Sequence, residues 1–317
     1  MKIWYTNHPS RFALAPLSWL FCAIVRVRRF AYKYGLLKSY HPPVPVIIVG
    51  NLTVGGTGKT PLVIWLAQRL LKEGFKPGIV SRGYGGRAQN WPQPVYPDSD
   101  PQLVGDEAIL LARQSGCPVA VAPRRIKAVQ SLLDNCNIII SDDGLQHYAL
   151  HRDIEIAVVD GTRRYGNQHC LPAGPLREPL SRLKEIDFIV TKSEFDMQYH
   201  TKALRRVADE NISQTLSELR DHTVHAVAGI GHPAHFFNSL RDHGLKLHCH
   251  EFPDHHHYSQ TDIQFNDNLP VIMTEKDAVK CQHFAGPQHW YLPIEARLPS
   301  AFGERLLNRI QHGQKTT

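Results

Sequence analysis

The chain has 317 residues, 42% of them hydrophobic and 21% charged, with a formal net charge of +7. This composition can bury a full core with room for two domains, and it excludes a disordered or low-complexity chain. The positive excess points to anionic partners (nucleic acid, acidic lipid or a phosphorylated substrate), and six scattered cysteines without a Cys-x-x-Cys pair fit a reduced compartment.

The first predicted element is amphiphilic. Residues Phe12 to Val25 are almost continuously apolar, interrupted by Pro16 and Ser18. Arg26, Arg28, Arg29, Lys33 and Lys38 follow, interleaved with Phe30, Tyr32 and Tyr34. The apolar run is shorter than the ~20 residues a spanning helix needs. No small-residue cleavage site follows it, which argues against a removable signal peptide. The pattern predicts a helix lying in a membrane interface with its cations on anionic headgroups. The alternative is a helix packed on the protein's own core.

Tyr40-His41-Pro42-Pro43 ends that helix, and Val44 to Val49 reads as a buried strand. It leads into Thr53-Val54-Gly55-Gly56-Thr57-Gly58-Lys59-Thr60, and Pro61 to Leu71 has helical periodicity. Strand, glycine-rich turn, Lys-Thr and helix together make a phosphate-binding P-loop. Backbone N–H groups close on phosphate oxygens and the helix N-terminus adds positive potential. Lys59 would reach the terminal phosphates, and the Thr60 hydroxyl would ligate Mg²⁺. Thr53 stands where the motif usually has its first glycine.

A second strand, Pro77 to Ser81, runs into Arg82-Gly83-Tyr84-Gly85-Gly86-Arg87, a loop at a sheet edge suited to a phosphate or sugar. Asn90 to Leu103 reads as loop. Gly105-Asp106-Glu107 opens a helix; either acid could act as a general base, or simply favour the helix dipole. Pro118 to Ala122 is a third strand, and Asn137 to Ile140 a fourth, ending in Ser141-Asp142-Asp143-Gly144. An apolar strand ending in aspartate is the Walker B pattern, with a carboxylate near Mg²⁺. Gln146 and His147 follow. Ile154 to Val159 and Asp187 to Thr191, ending in Lys192, are further strands. Between them, three prolines in 172–179 define a loop carrying Arg177 and Glu178, and Arg177 could stabilise a transferring phosphoryl group.

Ser193 to Arg220 reads as a polar helical linker. Strands at 225–230, 247–252, 270–273 and 290–293 follow, the last of the chain. The predicted organisation is therefore an N-terminal membrane-surface helix (1–40), a P-loop core with a mostly parallel α/β sheet flanked by helices (41–220), a smaller α/β domain (221–299) and a closing helix (300–317). His255-His256-His257 lacks the helical i, i+4 spacing of a metal pair. A histidine paired to an acid in the interdomain cleft is the better reading. Thr274-Glu275-Lys276-Asp277 is superficially like a guanine-reading Asn-Lys-x-Asp, but its glutamate argues against a GTPase switch. No basic-aromatic stacking motif points to nucleic acid.

With these pieces in order, the chain resembles the tetraacyldisaccharide 4'-kinases of lipid A biosynthesis. The resemblance rests on 54–61, Ser-Arg-Gly-Tyr-Gly at 81–85, Gly-Asp-Glu at 105–107 and Asp-Asp-Gly-Leu-Gln-His at 142–147. It continues through Pro-Ala-Gly-Pro-Leu-Arg-Glu at 172–178, Asp-His-His at 254–256 and Thr-Glu-Lys-Asp at 274–277. It implies ATP- and Mg²⁺-dependent phosphorylation of an acylated glucosamine disaccharide 1-phosphate at its 4'-hydroxyl, giving lipid IVA. The expected location is the cytoplasmic face of the inner membrane, with an anionic membrane surface as partner and no nucleic acid. It further implies Asp106 as catalytic carboxylate, His255 as its partner, Arg177 on the phosphate side, and Asp142 and Asp143 with Thr60 on the Mg²⁺ side.

Overall fold

The computed structural model describes residues 4–5, 9–191 and 195–314. Lys192 and Ser193, at the predicted end of a strand and start of the linker, lie outside the described residues.

The first sheet contains β1 (Val46–Gly50), β2 (Pro77–Ser81), β3 (Gln93–Val95), β4 (Val119–Val121), β5 (Ile138–Asp142), β6 (Ile154–Val158) and β7 (Phe188–Val190). Its order is β3-β4-β2-β5-β1-β6-β7, parallel throughout except for the edge strand β3. β1 and β5 are buried on both faces, so they run apolar as expected of central parallel strands, until β5 ends in the buried Ser141 and Asp142. Alternate residues serve opposite layers. Ile47 and Val49 pack with α2 (Lys59–Lys72), α4 (Asp106–Ser115) and α9 (Ser300–Gln314), through Leu62, Leu66, Ile109, Phe302 and Leu306. Val46 and Ile48 pack with Ala128 and Val129 of α5 (Arg125–Gln130), with Phe21 and Cys22 against the same cluster. The segment 90–103, expected to be loop, supplies β3 and the short α3 (Pro101–Val104), which Asp100 caps by accepting from the Gln102 N–H.

The N-terminal helix α1 (Ser10–Lys33) carries Pro16 inside it. One face docks: Ser18 is buried and its hydroxyl donates to the Cys170 carbonyl at 2.7 Å. Arg29 pairs with Glu185. The other face leaves Leu17, Trp19, Leu20, Ile24, Val27 and Phe30 exposed, Trp19 to 68%. The docked face matches the reading of a helix packed on the protein's own core. Among the described residues no helix is long and apolar enough to cross a membrane.

The expected helical linker after residue 193 is instead extended. β8 (Gln198–Thr201), β9 (Leu204–Arg206) and β10 (Ser213–Gln214) lie here, followed by a single 3₁₀ turn at Leu216–Leu219. Polar character misled the reading, because an edge ribbon solvated on one face is as polar as a surface helix. β9 and β10 join the second sheet with β11 (Thr223–Ala228), β12 (Lys246–Glu251), β13 (Val271–Thr274) and β14 (His289–Leu292), in the order β10-β9-β14-β13-β11-β12. Helices α6 (Pro233–Asp242), α7 (Gln260–Ile263) and α8 (Glu275–Cys281) connect its strands. Beyond the strand expected to be the last lies β15 (Ile294–Arg297), which pairs antiparallel with β8. The outgoing and returning segments between the lobes thus form one two-stranded ribbon. A second bond between lobes comes from α4, which packs on α8, with Gln114 donating to Glu275.

Candidate active site

The P-loop leaves the C-terminal end of β1, the edge at which open α/β sheets bind ligands. Its entry is zipped to the proline loop: Thr53 bridges Leu176, the Val54 N–H donates to the Pro175 carbonyl, and the Arg177 N–H to that of Leu52. Thr53 therefore occupies an extended, buried position, where a glycine would add only conformational freedom. Asn51 Nδ2 donates to the Gly55 carbonyl at 3.2 Å and its Oδ1 accepts from Lys59 at 3.4 Å. Gly58 has φ +81, and a Cβ there would lie 1.7 Å from the Tyr199 hydroxyl of β8. The interlobe ribbon thus presses against the phosphate loop, a contact that needs glycine for both backbone and space. Thr57 is buried, and Thr60 lies in the first turn of α2.

Lys59, Asp143 and Arg177 form one cluster. Lys59 Nζ lies 3.3 Å from Asp143 Oδ1, and Arg177 Nη1 lies 3.0 Å from both Asp143 oxygens. Burial pushes the Asp143 carboxyl up, but the two cations overcome it and hold it down at about 2. Its neighbour Asp142 behaves oppositely. It is fully buried, accepts from Ser81 Oγ at 3.2 Å through Oδ2, and its Oδ1 has no hydrogen-bond partner. Burial, reinforced by Glu107, pushes its carboxyl up to about 7. Arg125 donates to the carbonyls of both aspartates and fixes the turn. Gln146 joins P-loop and proline loop, donating to the Asn51 carbonyl and Glu178 at 3.2 Å each. Burial and several arginines lower His147 to about 4.

The Asp106–His255 half comes from other elements. Asp106 is the first residue of α4, only 6% exposed, and its Oδ1 accepts from the Glu107 N–H at 2.9 Å. His255 lies on the loop after β12, and its Nδ1 is 3.3 Å from Asp106 Oδ2. Burial pushes the Asp106 carboxyl up, but His255 and the lysines Lys276 and Lys280 outweigh it, so it lies below the usual carboxylate range. The hydrogen bond to Asp106 raises His255, against burial and Lys276. His256 instead pairs with Asp262 at 3.4 Å. His257 lines a small cavity of about 110 Å³ with Tyr84, Asp106, His255, Tyr258 and Lys280. The ambiguity within the triplet thus resolves geometrically onto His255. Asp143 and His255 both have left-handed backbones, φ +48 and +61, which aspartate and histidine tolerate better than most residues.

The two halves meet at Gly231. A Cβ on Gly231 would lie 3.3 Å from the Gly56 nitrogen and from Asp254 Oδ2, so the loop after β11 lies between the P-loop and the loop bearing His255. Arg163 ties the same corner, donating to the Gly231 carbonyl at 2.9 Å. Of the residues singled out from sequence, Lys59, Asp143 and Arg177 come together directly, as do Asp106 and His255. Sequence reasoning missed Asn51, Tyr199 and Arg163. Asn51, directly between strand and P-loop, offered a signal by position. Tyr199 and Arg163 offered none, because each is recruited by tertiary approach.

A parallel α/β sheet with a P-loop at its carboxyl edge, and a second lobe that brings His255 onto Asp106 of the first, has the architecture of a P-loop phosphotransferase. The family model of tetraacyldisaccharide-1-P 4'-kinase matches residues 10–311. The tetraacyldisaccharide 4'-kinase of Nitrosococcus oceani is 54% identical over 322 residues, covering 99% of this chain and 95% of that protein. The enzyme of Methylobacillus flagellatus is 49% identical, covering 97% and 94%. The crystal structure of LpxK from Aquifex aeolicus in complex with ATP superposes with a TM-score of 0.79 at 30% identity, covering 95% of this chain and 99% of that one. The chain belongs to the tetraacyldisaccharide 4'-kinase family, and it is a kinase.

Proposed function

We propose that this chain transfers the γ-phosphoryl group of ATP to the 4'-hydroxyl of a tetraacylated glucosamine disaccharide 1-phosphate, giving lipid IVA and ADP. The observation that carries this reading is the close Asp106–His255 pair, whose histidine loop meets Gly231 where that residue abuts the P-loop at Gly56. P-loop amides and Lys59 hold the phosphates, and Arg177 neutralises charge on the transferring group. Asp106, a carboxylate in this setting, accepts the proton of the 4'-hydroxyl as its oxygen bonds to the γ-phosphorus and the bond to the β-phosphate oxygen breaks. His255 orients that carboxylate and balances its charge. A sugar hydroxyl is a weak nucleophile, so positioning and charge neutralisation supply most of the acceleration.

The residues fit a magnesium ion. Asp142 has an unpartnered buried Oδ1, Asp143 is a neighbouring carboxylate, and Thr60 offers a hydroxyl. Magnesium takes one or two carboxylates plus phosphate oxygens and water, so the absence, among the described residues, of a cluster of three metal-ligating side chains is no obstacle. Bound there, it supplies charge neutralisation at the β- and γ-phosphoryl oxygens.

The exposed apolar face of α1, followed by its arginines, supports attachment to the cytoplasmic face of an inner membrane, where an acylated acceptor resides. The test is transfer of label from γ-labelled Mg-ATP to the tetraacyl disaccharide monophosphate in detergent micelles. A folded, ATP-binding protein that leaves the acceptor unlabelled would overturn the assignment.

A further inference from the structure

Lys276 has no part in the phosphate site, and the mechanism above does not use it. It is the second residue of α8, with 14% of its side chain exposed. Three acceptors surround its ammonium: Glu107 Oε1 at 3.0 Å, Asp254 Oδ1 at 3.2 Å and His255 Nε2 at 3.3 Å. An ammonium has three N–H donors and no lone pair, so its donors are matched one to one. Glu107 follows Asp106 in the chain, and Asp254 precedes His255. Lys276 therefore grips the sequence neighbour of each member of the pair, from a third element.

The turn that presents it is tied down. The Thr274 hydroxyl caps α8 by accepting from the Asp277 N–H at 3.2 Å. Asp277, fully buried, accepts from the Gly229 N–H at 2.9 Å and from Thr274 Oγ1 at 2.6 Å. Lys276 is thus fixed at its base and saturated at its tip.

Because an ammonium only donates, the Nε2 that faces it must present its lone pair. The proton of neutral His255 then sits on Nδ1 and is donated to Asp106 Oδ2, 3.3 Å away. An imidazolium at this position would aim an N–H at an ammonium. The other groups facing His255 are Asp254 on its own loop and the Tyr84 ring, 4.9 Å between centroids; Lys280 stands 3.9 Å from Asp106.

We propose that Lys276 is a positioning residue for the kinase reaction: it holds neutral His255 as the Nδ1–H tautomer and opposes its conversion to imidazolium, keeping Asp106 able to accept the substrate proton. This rests on the reading of Asp106 and His255 as the proton-accepting pair. Without Lys276, His255 takes up a proton more readily, its ion pair with Asp106 tightens, and the carboxylate becomes a weaker base.

Histidine ¹⁵N NMR of the full chain in detergent micelles reads the tautomer without turnover, with His255→Gln assigning the resonance. The expected neutral form at alkaline pH is Nδ1–H; an Nε2–H form overturns the proposal. In Lys276→Met we expect kcat to fall roughly tenfold to hundredfold with KM for ATP unchanged. The acid limb of the kcat/KM profile should move to higher pH, and Lys276→Arg should restore it. A folded Lys276→Met protein with an unmoved acid limb overturns the proposal, because a merely structural lysine would change melting temperature alone. An inactive chain that keeps the Nδ1–H tautomer would count against the kinase mechanism and not against this role of Lys276. If Lys276→Met does not fold, the tautomer in the native chain still decides.

Discussion

The two halves of the site are built by opposite means. The phosphate half takes Lys59, Asp143 and Arg177 from loops on one lobe, at the carboxyl edge of one sheet, and its cations and carboxylate meet within 3.3 Å. The half proposed for proton transfer takes Asp106 from the first lobe and His255 from the second, 149 positions further along the chain, and its geometry depends on how α4 packs on α8. The difference teaches where each function is vulnerable. Phosphate binding should survive disturbance of the second lobe, whereas proton transfer should be lost when either lobe shifts.

The sharpest way to break this comparison is Asp106→Asn. We expect turnover to fall by about 10²–10⁴-fold while the dissociation constant for Mg-ATP stays within about twofold. Parallel loss of nucleotide binding in a folded variant would show that the two halves are not separable. Lys59→Met should instead impair both binding and turnover. It removes a phosphate-binding cation and leaves Asp143 to Arg177 alone, so ATP affinity and kcat should both drop, kcat by roughly 10²–10³-fold. Isothermal titration with ATP checks it, and unchanged affinity would remove Lys59 from the phosphate site.

A smaller effect concerns the helix that leads into the first lobe. Deleting it would uncover the core that Phe21 and Cys22 help to close, so substitution of the outer face is the cleaner probe. Trp19→Glu with Ile24→Glu, both exposed positions, should weaken partition onto vesicles containing anionic lipid by about tenfold or more and leave the melting temperature nearly unchanged. Native binding should also fall as salt is added, since cations supply part of it. Vesicle sedimentation unaltered by the two glutamates would refute the surface role of this face.

The smallest expected effect separates the paired aspartates. A carboxyl whose folded pKa is raised stabilises the fold below its ordinary value, near 4, and loses that contribution as pH rises through the folded value. For Asp142 that window runs from about 4 to about 7. Without nucleotide or divalent cation, Asp142→Asn should therefore melt about 2–5 °C above the native chain at pH 8, the gap closing toward pH 4. Asp143 has the opposite sign. Its depressed carboxyl stabilises above the ordinary value and loses that contribution only as pH falls toward about 2. Calorimetric melting across this range checks both, and a less stable Asp142→Asn at pH 8 would show that the buried carboxylate is compensated in the free protein.

Much of the first half could be read from the residues in order. A β-branched run, glycines, Lys59-Thr60 and a helical period are local signals, and an apolar strand ending in Asp142-Asp143 is another. Each depends on backbone sterics and hydrogen bonding within a few residues, which sequence expresses directly. The apolar run and the basic residues after it also announced α1, but could not say that Ser18 faces inward and Trp19 outward, because the partner surface comes from residues near 170. The polar stretch after residue 193 read as helix and became ribbon, because β8 finds its partner, β15, only after the second lobe has folded.

What the sequence alone determined was therefore the chemistry available: a phosphate loop, a pair of aspartates, a glycine-led Asp106 and a run of three histidines with one acid before it. What only the tertiary structure decided was the choice among equivalents. His255 rather than its two neighbours meets Asp106, Asp143 rather than Asp142 meets the cations, Tyr199 enters the site from a segment that carries no local signature, and Lys276 turns from its own motif onto His255. The physical reason is that a side chain's type is a property of the chain, whereas its partner, burial and charge state are set by whatever the packed fold brings within a few ångströms.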